Sequence, residues 1–302
     1  MSSTKILATK VVQLSASRVA SYVGRDCRAT MRASMLGVWK SHDPEGWRKA
    51  HLVHVDDAAT AATTKTPVRR RRAKEEEGEV MEVMEHWWSP GMHPVVDRVL
   101  DASLNECPSD TEEVLHLRDV LIGEIRRAKG LSSLQKRKIQ AAVQRNAFTS
   151  YGRRQQAPAL AMASDMLCKR FVPHDGSILR KQLCEGVELV GKPDAVSEDG
   201  KTVLELKNRI HCLKDPLSPT DRYQLMAYMH LLDASEEGVL FQVLRLPKCV
   251  DVSIHRASRL SIAGEEEDRV WTDTRRRLAE FGAGVLRLST DDNFASKFVS
   301  RL

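Results

Sequence analysis

Asp194, Glu205 and Lys207 sit within one short stretch, G-K-P-D-A-V-S-E-D-G-K-T-V-L-E-L-K, running from Gly191 to Lys207. The segment from Val187 to Val196 is apolar enough for a strand. Ser197 to Lys201 is a polar turn with Gly200 at its tight point. Thr202 to Lys207 reads as a second strand, and its alternation carries the information. Leu204 and Leu206 fall on one face, Val203, Glu205 and Lys207 on the other. A carboxylate and an ammonium therefore project together beside an apolar core. Asp194, across the turn, can reach the same place. Hard divalent cations such as Mg²⁺ take one or two carboxylates, with water and substrate phosphate completing the shell. Two acids and a lysine gathered at a strand end are the minimum equipment for metal-assisted cutting of a phosphodiester.

Glu-x-Lys alone is common as a solvated ion pair on a strand face. Two further features set this one apart. Pro-Asp precedes it across a turn, and a helix follows in which Gln224 and Tyr228 share a face at i, i+4 spacing. Leu225, Met229 and Leu232 keep the core-facing rhythm of the same helix.

Gly191-x-Pro193-Asp194, Glu205-x-Lys207 and Gln224-x-x-x-Tyr228 together resemble the PD-(D/E)XK nuclease superfamily, in particular its RecB-like and lambda-exonuclease-like (viral recombinase) branches. The resemblance implies an α/β, restriction-endonuclease-like core: a mixed central sheet flanked by helices, here with a helical N-terminal region. It implies Mg²⁺-dependent hydrolysis of DNA, with Mn²⁺ as a substitute. By position, Asp194, Glu205 and the Leu206 carbonyl would be metal ligands, and Lys207 would place or activate the attacking water. Gln224 and Tyr228 would support the site and contact the DNA backbone. In lambda-exonuclease-like proteins a helix of the form G-x-x-x-E precedes the hairpin, and its glutamate is a further metal ligand. Here the pattern is Gly152-x-x-x-Gln156, so an uncharged carbonyl would stand in that place, with Arg153 and Arg154 flanking the cleft. Those proteins also meet a 5′-phosphate with a serine at a small-residue helix entry and an upstream basic residue. Ser17 and Lys10 fall where these would be. The resemblance covers about 151–245 well, the N-terminal helix loosely and 57–150 hardly at all. Its implied partners are DNA, a single-strand annealing or other recombination protein, and further copies of the chain. The leading expectation is an exonuclease acting from a 5′ end in DNA recombination, repair or replication. The alternatives are a structure-specific endonuclease and a DNA-binding module whose site has weakened at Gln156.

The elements that must position these groups can be read from the rest of the chain. Its 302 residues are 42% hydrophobic, enough for a sizeable core, and its formal net charge is +6. That balance agrees with a polyanionic partner without demanding one. No run of 18 apolar residues is present, so no membrane span is expected. The cysteines form no C-x-x-C pair, and nothing after Cys249 could hold an iron–sulfur cluster, so none is expected. No G-x-x-x-x-G-K-[ST] loop occurs. Residues 1–13 lack the apolar length of a secretory signal. The expected location is intracellular, nuclear or mitochondrial if the source is eukaryotic.

The expected layout has four parts. Residues 1–56 form an N-terminal helical part of the fold, with a capped helix from Ser15 to Gly24 and a break at Asp43-Pro44. His51, His54, Asp56 and Asp57 read as a wet helix end rather than a metal site. Residues 57–79, with Arg69 to Arg72 beside Glu75 to Glu77, read as a disordered charged insertion. Residues 80–150 are helical. Trp87-Trp88 falls in this region, and Leu131 to Phe148 carries Lys136, Arg137, Lys138 and Arg145 on a polar side, either a DNA-tracking face or a solvated one. Residues 151–302 form the core, closed by a helix from Glu265 to Leu286.

Overall fold

The computed structural model describes residues 11–25, 31–50, 91, 93–233, 235–258 and 264–300. The charged insertion, the His51/His54 group, the Trp87-Trp88 pair and Lys10 lie outside the described residues.

The fold is mixed α/β. Strands β2 (Phe171–Pro173), β5 (Ala195–Ser197), β6 (Thr202–Arg209), β7 (Glu237–Arg245) and β8 (Val250–Ser258) form a five-stranded sheet in the order β2-β5-β6-β7-β8. The β6–β7 pair is parallel and the others antiparallel. Parallel neighbours need a long crossover. Helix α7, Pro219–Leu231, supplies it and packs on the sheet. The nearly continuous burial of β7 is that of a strand covered on both faces. A second, three-stranded sheet has the order β1-β4-β3, from Val12–Ser15, Val187–Gly191 and Leu179–Cys184. There β1 runs parallel to β4, with Val12 opposite Val187 and Ser15 opposite Val190.

Two expectations are corrected here. The segment from Val187 to Val196 is not one strand. It splits at Lys192-Pro193-Asp194, with β4 in one sheet and β5 in the other. Pro193 has no N–H to give a ladder, which suits the point where the chain changes sheets. The expected hairpin survives as β5–β6, its turn closed by a bond from the Gly200 amide to the Ser197 carbonyl (2.8 Å). The Ser15–Gly24 helix is likewise shorter than expected. Val12–Ser15 is strand, Ala16–Arg18 a single 3₁₀ turn, and only Val19–Tyr22 (α1) is α-helical. Gly24, at φ +71°, ends it as expected.

Helices fill both faces of the larger sheet. On one, Leu204 and Leu206 of β6 pack with Val239, Phe241 and Val243 against Ala159 and Ala163 of helix α6, Gln156–Leu167. On the other, Val203 and Leu240 join Leu225 and Met229 of α7. That second core runs on through β1, α1 and helix α2 (Met31–His42) to the closing helix α8, Gly264–Thr290. Trp271, Leu278 and Phe281 of α8 point inward as expected. The chain is non-helical at Asp43 and helical again over 44–50.

Helices α3 (Pro94–Asn105), α4 (Thr111–Arg127) and α5 (Ser133–Arg154) share a small core of their own around Val96, Val99, Leu121, Ile125, Ile139 and Val143. Asp110 caps α4, and a Ser132/Gln135 capping box opens α5. Helix α5 runs past its expected end at Phe148 and stops at Arg154 for a local reason. A proline ring clashes with the carbonyl four residues before it, and Pro158 places that clash at Arg154. The pattern Gly152-x-x-x-Gln156 therefore spans the joint between α5 and α6 and is not one helix. Among the described residues no helix is long and apolar enough to cross a membrane.

Candidate active site

The site forms where β5 runs out. Its ladder to β6 pairs Val196 with Val203 and Ala195 with Leu204, and goes no further. Beyond Leu204 that edge of β6 has lost its strand neighbour. The Asp194 side chain takes its place: Oδ2 accepts the Leu206 amide at 2.7 Å. In a strand the N–H and C=O of one residue face the same edge. The Leu206 carbonyl therefore lies on the open edge that Asp194 guards.

Glu205 and Lys207 leave β6 on the α7 face. Glu205 is 4% exposed, and its Oε1 accepts from Lys207 Nζ (2.6 Å) and from Gln224 Nε2 (2.9 Å). Gln224 Oε1 accepts a second bond from Lys207 (3.0 Å), and Gln224 Nε2 also donates to the Tyr228 hydroxyl (3.1 Å). Gln224 thus holds the carboxylate, the ammonium and the phenol in one fixed relation. It can do so because α7 presents Asp221, Gln224 and Tyr228 on successive turns of one face. Ser218 starts that helix, capping the Asp221 amide at 3.2 Å with Pro219 in the first turn.

Gln156 approaches from the opposite side of the sheet, at the first turn of α6. Its amide nitrogen donates to Asp194 Oδ1 at 2.7 Å. Both Asp194 oxygens therefore have a donor, one from the sheet edge and one from α6. Gln156 is turned with its N–H side to the carboxylate.

Gly191 explains how these parts fit. A methyl group there would lie 2.7 Å from Leu231 Cδ1, 2.8 Å from Ala16 Cβ and 2.8 Å from Tyr228 Cε1. The glycine lets α7 and the turn after β1 close on the strand leading to Asp194.

The electrostatics are those of too much negative charge in a dry place. Burial pushes the Glu205 carboxyl up to about 7, helped by the nearby Asp194 charge and opposed by Lys207. Burial raises Asp194 as well, against the Leu206 amide and Lys207. It also raises the Tyr228 phenol, with Glu205 next in effect. Two desolvated carboxylates share one ammonium. Such a donor set fits a hard divalent cation, which Asp194, Glu205 and the Leu206 carbonyl would hold. Among the described residues no group of three or more His, Cys, Asp and Glu side chains is arranged to hold a metal, so any cation here would rely on two acids.

A second polar layer lies directly beyond Lys207. Arg209, two residues on and on the same face, donates to Asp221 Oδ2 (2.9 Å) and to Gln242 Oε1 (2.7 Å). Gln242 is fully buried and stands opposite Lys207 in the β6–β7 register. It also binds the backbone of Lys214 at both N and O, pinning the loop before α7. Burial raises Asp221, but Ser218, Arg209 and Lys207 together outweigh it and hold the group below its ordinary value. The sequence reading missed Arg209, Asp221 and Gln242. The signal was available: Arg209 continues the alternation of Glu205 and Lys207, and Asp221 precedes Gln224 by one helical turn.

The remaining candidates are placed less centrally. Arg154 is committed elsewhere, its guanidinium bonded to the carbonyls of Leu104 and Glu106. Arg153 is exposed at the end of α5. Ser17 is exposed in the 3₁₀ turn beside Ala16, its hydroxyl 2.9 Å from that of Ser15. A cleft of about 650 Å³ lined by Gln13, Ser15, Arg18 and Val190 lies by β1. None of the described candidate residues lines that cleft.

No family model matches the chain, and no curated protein matches it. The crystal structure of SSO0001 aligns with 60% of this chain and 83% of its own length, at 16% identity and a TM-score of 0.29. A likeness of that size carries no argument about fold or function.

Proposed function

We propose that this protein is a Mg²⁺-dependent DNA nuclease, acting as an exonuclease from a 5′ end. One observation carries the reading: Asp194, on the sheet edge that β5 leaves open, lies close enough to the Glu205/Lys207 pair on the α7 face to act on both electrostatically, although the chain between β4 and β6 changes sheets. A divalent cation bound by Asp194, Glu205 and the Leu206 carbonyl would supply charge neutralisation at the phosphate and a more acidic water.

The protein's own groups do the rest. Lys207, held by Glu205 and Gln224, has a third N–H with which it would orient the attacking water and steady charge growing on the phosphate. Gln224 and Tyr228 keep that ammonium from drifting. Gln156 and the Leu206 amide fix the Asp194 carboxylate from two sides.

Gln156 also favours a second reading. It brings no charge where a third carboxylate would strengthen cation binding, which suits a DNA-binding module with weakened catalysis. One experiment separates the two. Linear duplex DNA labelled at either end is incubated with the protein and Mg²⁺, with a chelator control, the Lys207→Ala variant and a closed circular substrate alongside. Release of label from the 5′ end, dependent on Mg²⁺ and Lys207, supports the exonuclease. Cutting of the circle identifies an endonuclease. Binding without cutting by the wild type leaves the binding module.

A further inference from the structure

Helix α5 contains no acidic residue in its 22 positions. It carries Lys136, Arg137, Lys138, Arg145, Arg153 and Arg154, six cations in a chain whose whole formal charge is +6. Two of the six have structural employment. Lys136 Nζ bonds the Arg126 carbonyl (2.7 Å), and Arg154 holds the backbone after α3. Arg137, Arg145 and Arg153 form no ion pair with any described residue, and all three are exposed. They are eight residues apart, on one i, i+4 ridge whose intervening members, Ala141 and Thr149, are small, uncharged and also exposed. At 1.5 Å per residue they stand about 12 Å apart along the axis, about 24 Å in all. Each i, i+4 step turns about 40°, so the ridge winds around the helix; it stays exposed because the buried side turns with it, from the α3–α4 core at Ile139 and Val143 to the cluster that Ala147 and Tyr151 form with Val114 of α4 and Ile210. Its C-terminal end leads through Gln155 into Gln156, which holds Asp194.

The contrast with α8 is instructive. Its adjacent arginines look as basic in sequence, but Arg276 is paired with Asp273 and Glu280, and Arg277 with Asp273. Those two charges are paired within their own helix. The α5 ridge is not.

We propose that the exposed ridge Arg137–Arg145–Arg153 of α5 is a phosphate-binding track that holds the DNA backbone on one side of the Asp194/Glu205/Lys207 site. The proposal rests on the nuclease reading for its ligand. Neutralising phosphates releases counterions, so each arginine should steepen the fall of log affinity with log salt by about 0.9 on duplex DNA and about 0.7 on single strands. Arg137 and Arg153 are about 24 Å apart along the axis and turned about 160° from one another, so the backbone they hold would cross the helix obliquely.

The test measures binding of a labelled 30-mer, in duplex and single-stranded arms, by the Lys207→Ala protein with Mg²⁺ from low to moderate salt. Arg137→Gln, Arg145→Gln and Arg153→Gln are added singly and together. The expected result is a slope shallower by about 0.9 per arginine on duplex, or about 0.7 if single strands are what the track holds. Arg276→Gln should leave the slope unchanged. Melting temperatures should stay at the parent value, since all three side chains are exposed and Gln is a good helix former. If the parent binds DNA with a clear salt dependence and the triple variant keeps the same slope, the track is overturned and the nuclease reading stands. If wild type neither cuts nor binds DNA, both are overturned.

Discussion

Replacing Gly191 with alanine is the most direct test of the packing that assembles the site. The added methyl would stand 2.7–2.8 Å from atoms of Leu231, Ala16 and Tyr228. Contacts under 3 Å require something to move, and none of the three neighbours is the end of a flexible exposed side chain. Leu231 is 7%, Ala16 0% and Tyr228 5% exposed. Overpacking of this kind costs about 1–3 kcal/mol. For a chain of this size each kcal/mol lowers the melting temperature by about 1.6 °C, so Gly191→Ala should melt about 2–5 °C lower. The cheapest relief is to push α7 outward, which carries Tyr228 and with it Gln224. Gly191→Ala should therefore lose turnover beyond what its unfolded fraction explains at the assay temperature. Gly37→Ala is the matching control. It lies inside α2 with nothing within 4 Å of the added methyl, and should gain about 0.5–1 kcal/mol from the entropy of the unfolded chain. Thermal melting and a Mg²⁺-dependent digestion assay on both variants settle it. If Gly191→Ala melts at or above wild type with unchanged turnover, the argument for close approach at this position is wrong.

Other perturbations reach the site's charges. Lys207→Ala should lower cutting by about 10²–10³ while DNA affinity stays within a few-fold, measured by single-turnover digestion and by binding. In the metal-free protein the folded Glu205 carboxyl, at about 7, lies above its ordinary 4.5, so the folded state binds the proton more tightly. That contribution to stability is complete below pH ~4.5 and is lost as pH rises through ~7, on the order of 3 kcal/mol. Chelated wild type should melt higher at pH 5 than at pH 8, and Glu205→Gln should flatten the difference; a chelated wild type whose melting point rises steadily over this range would contradict it. Gln156→Glu would set a third carboxylate against Asp194, lowering the melting temperature of the chelated protein and enlarging the upward shift on adding Mg²⁺. Asp221→Asn would leave Arg209 without its buried counter-charge and should cost about 3–5 kcal/mol, read from chemical denaturation.

The sequence was most legible where local pattern and tertiary role coincide. Leu204 and Leu206 against Glu205 and Lys207 is a period-2 signal, and the structure splits them between the α6 and α7 faces as that period requires. The helix break at Asp43-Pro44 and the closing helix with Trp271, Leu278 and Phe281 inside were equally local. What escaped was set by long-range pairing. Nothing near Val12–Ser15 says that it lies parallel to Val187–Val190. A run of apolar residues from Val187 to Val196 gives no sign that its halves belong to different sheets, except the Pro193 that separates them. The α5–α6 joint was readable from Pro158, but the Gly152/Gln156 spacing suggested a single helix and masked it.

These misses and the site have one cause. A continuous strand from Val187 to Val196 would have kept pairing with β6 past Leu204, and its backbone would have filled the edge that Leu206 now offers to Asp194. Because the chain leaves that sheet at Lys192-Pro193-Asp194, the amide and carbonyl of Leu206 are among the β6 groups that lose their strand partner. A buried strand edge must be satisfied by something. Here the amide takes a carboxylate, and that carboxylate brings charge into a place already holding Glu205. The interruption that defeats a strand-by-strand reading is thus what creates the concentration of negative charge, and a cation or a shared proton is the physical answer to it. A variant that restored ladder pairing at the edge, by making residues 192–194 strand-like, should be more stable and chemically silent.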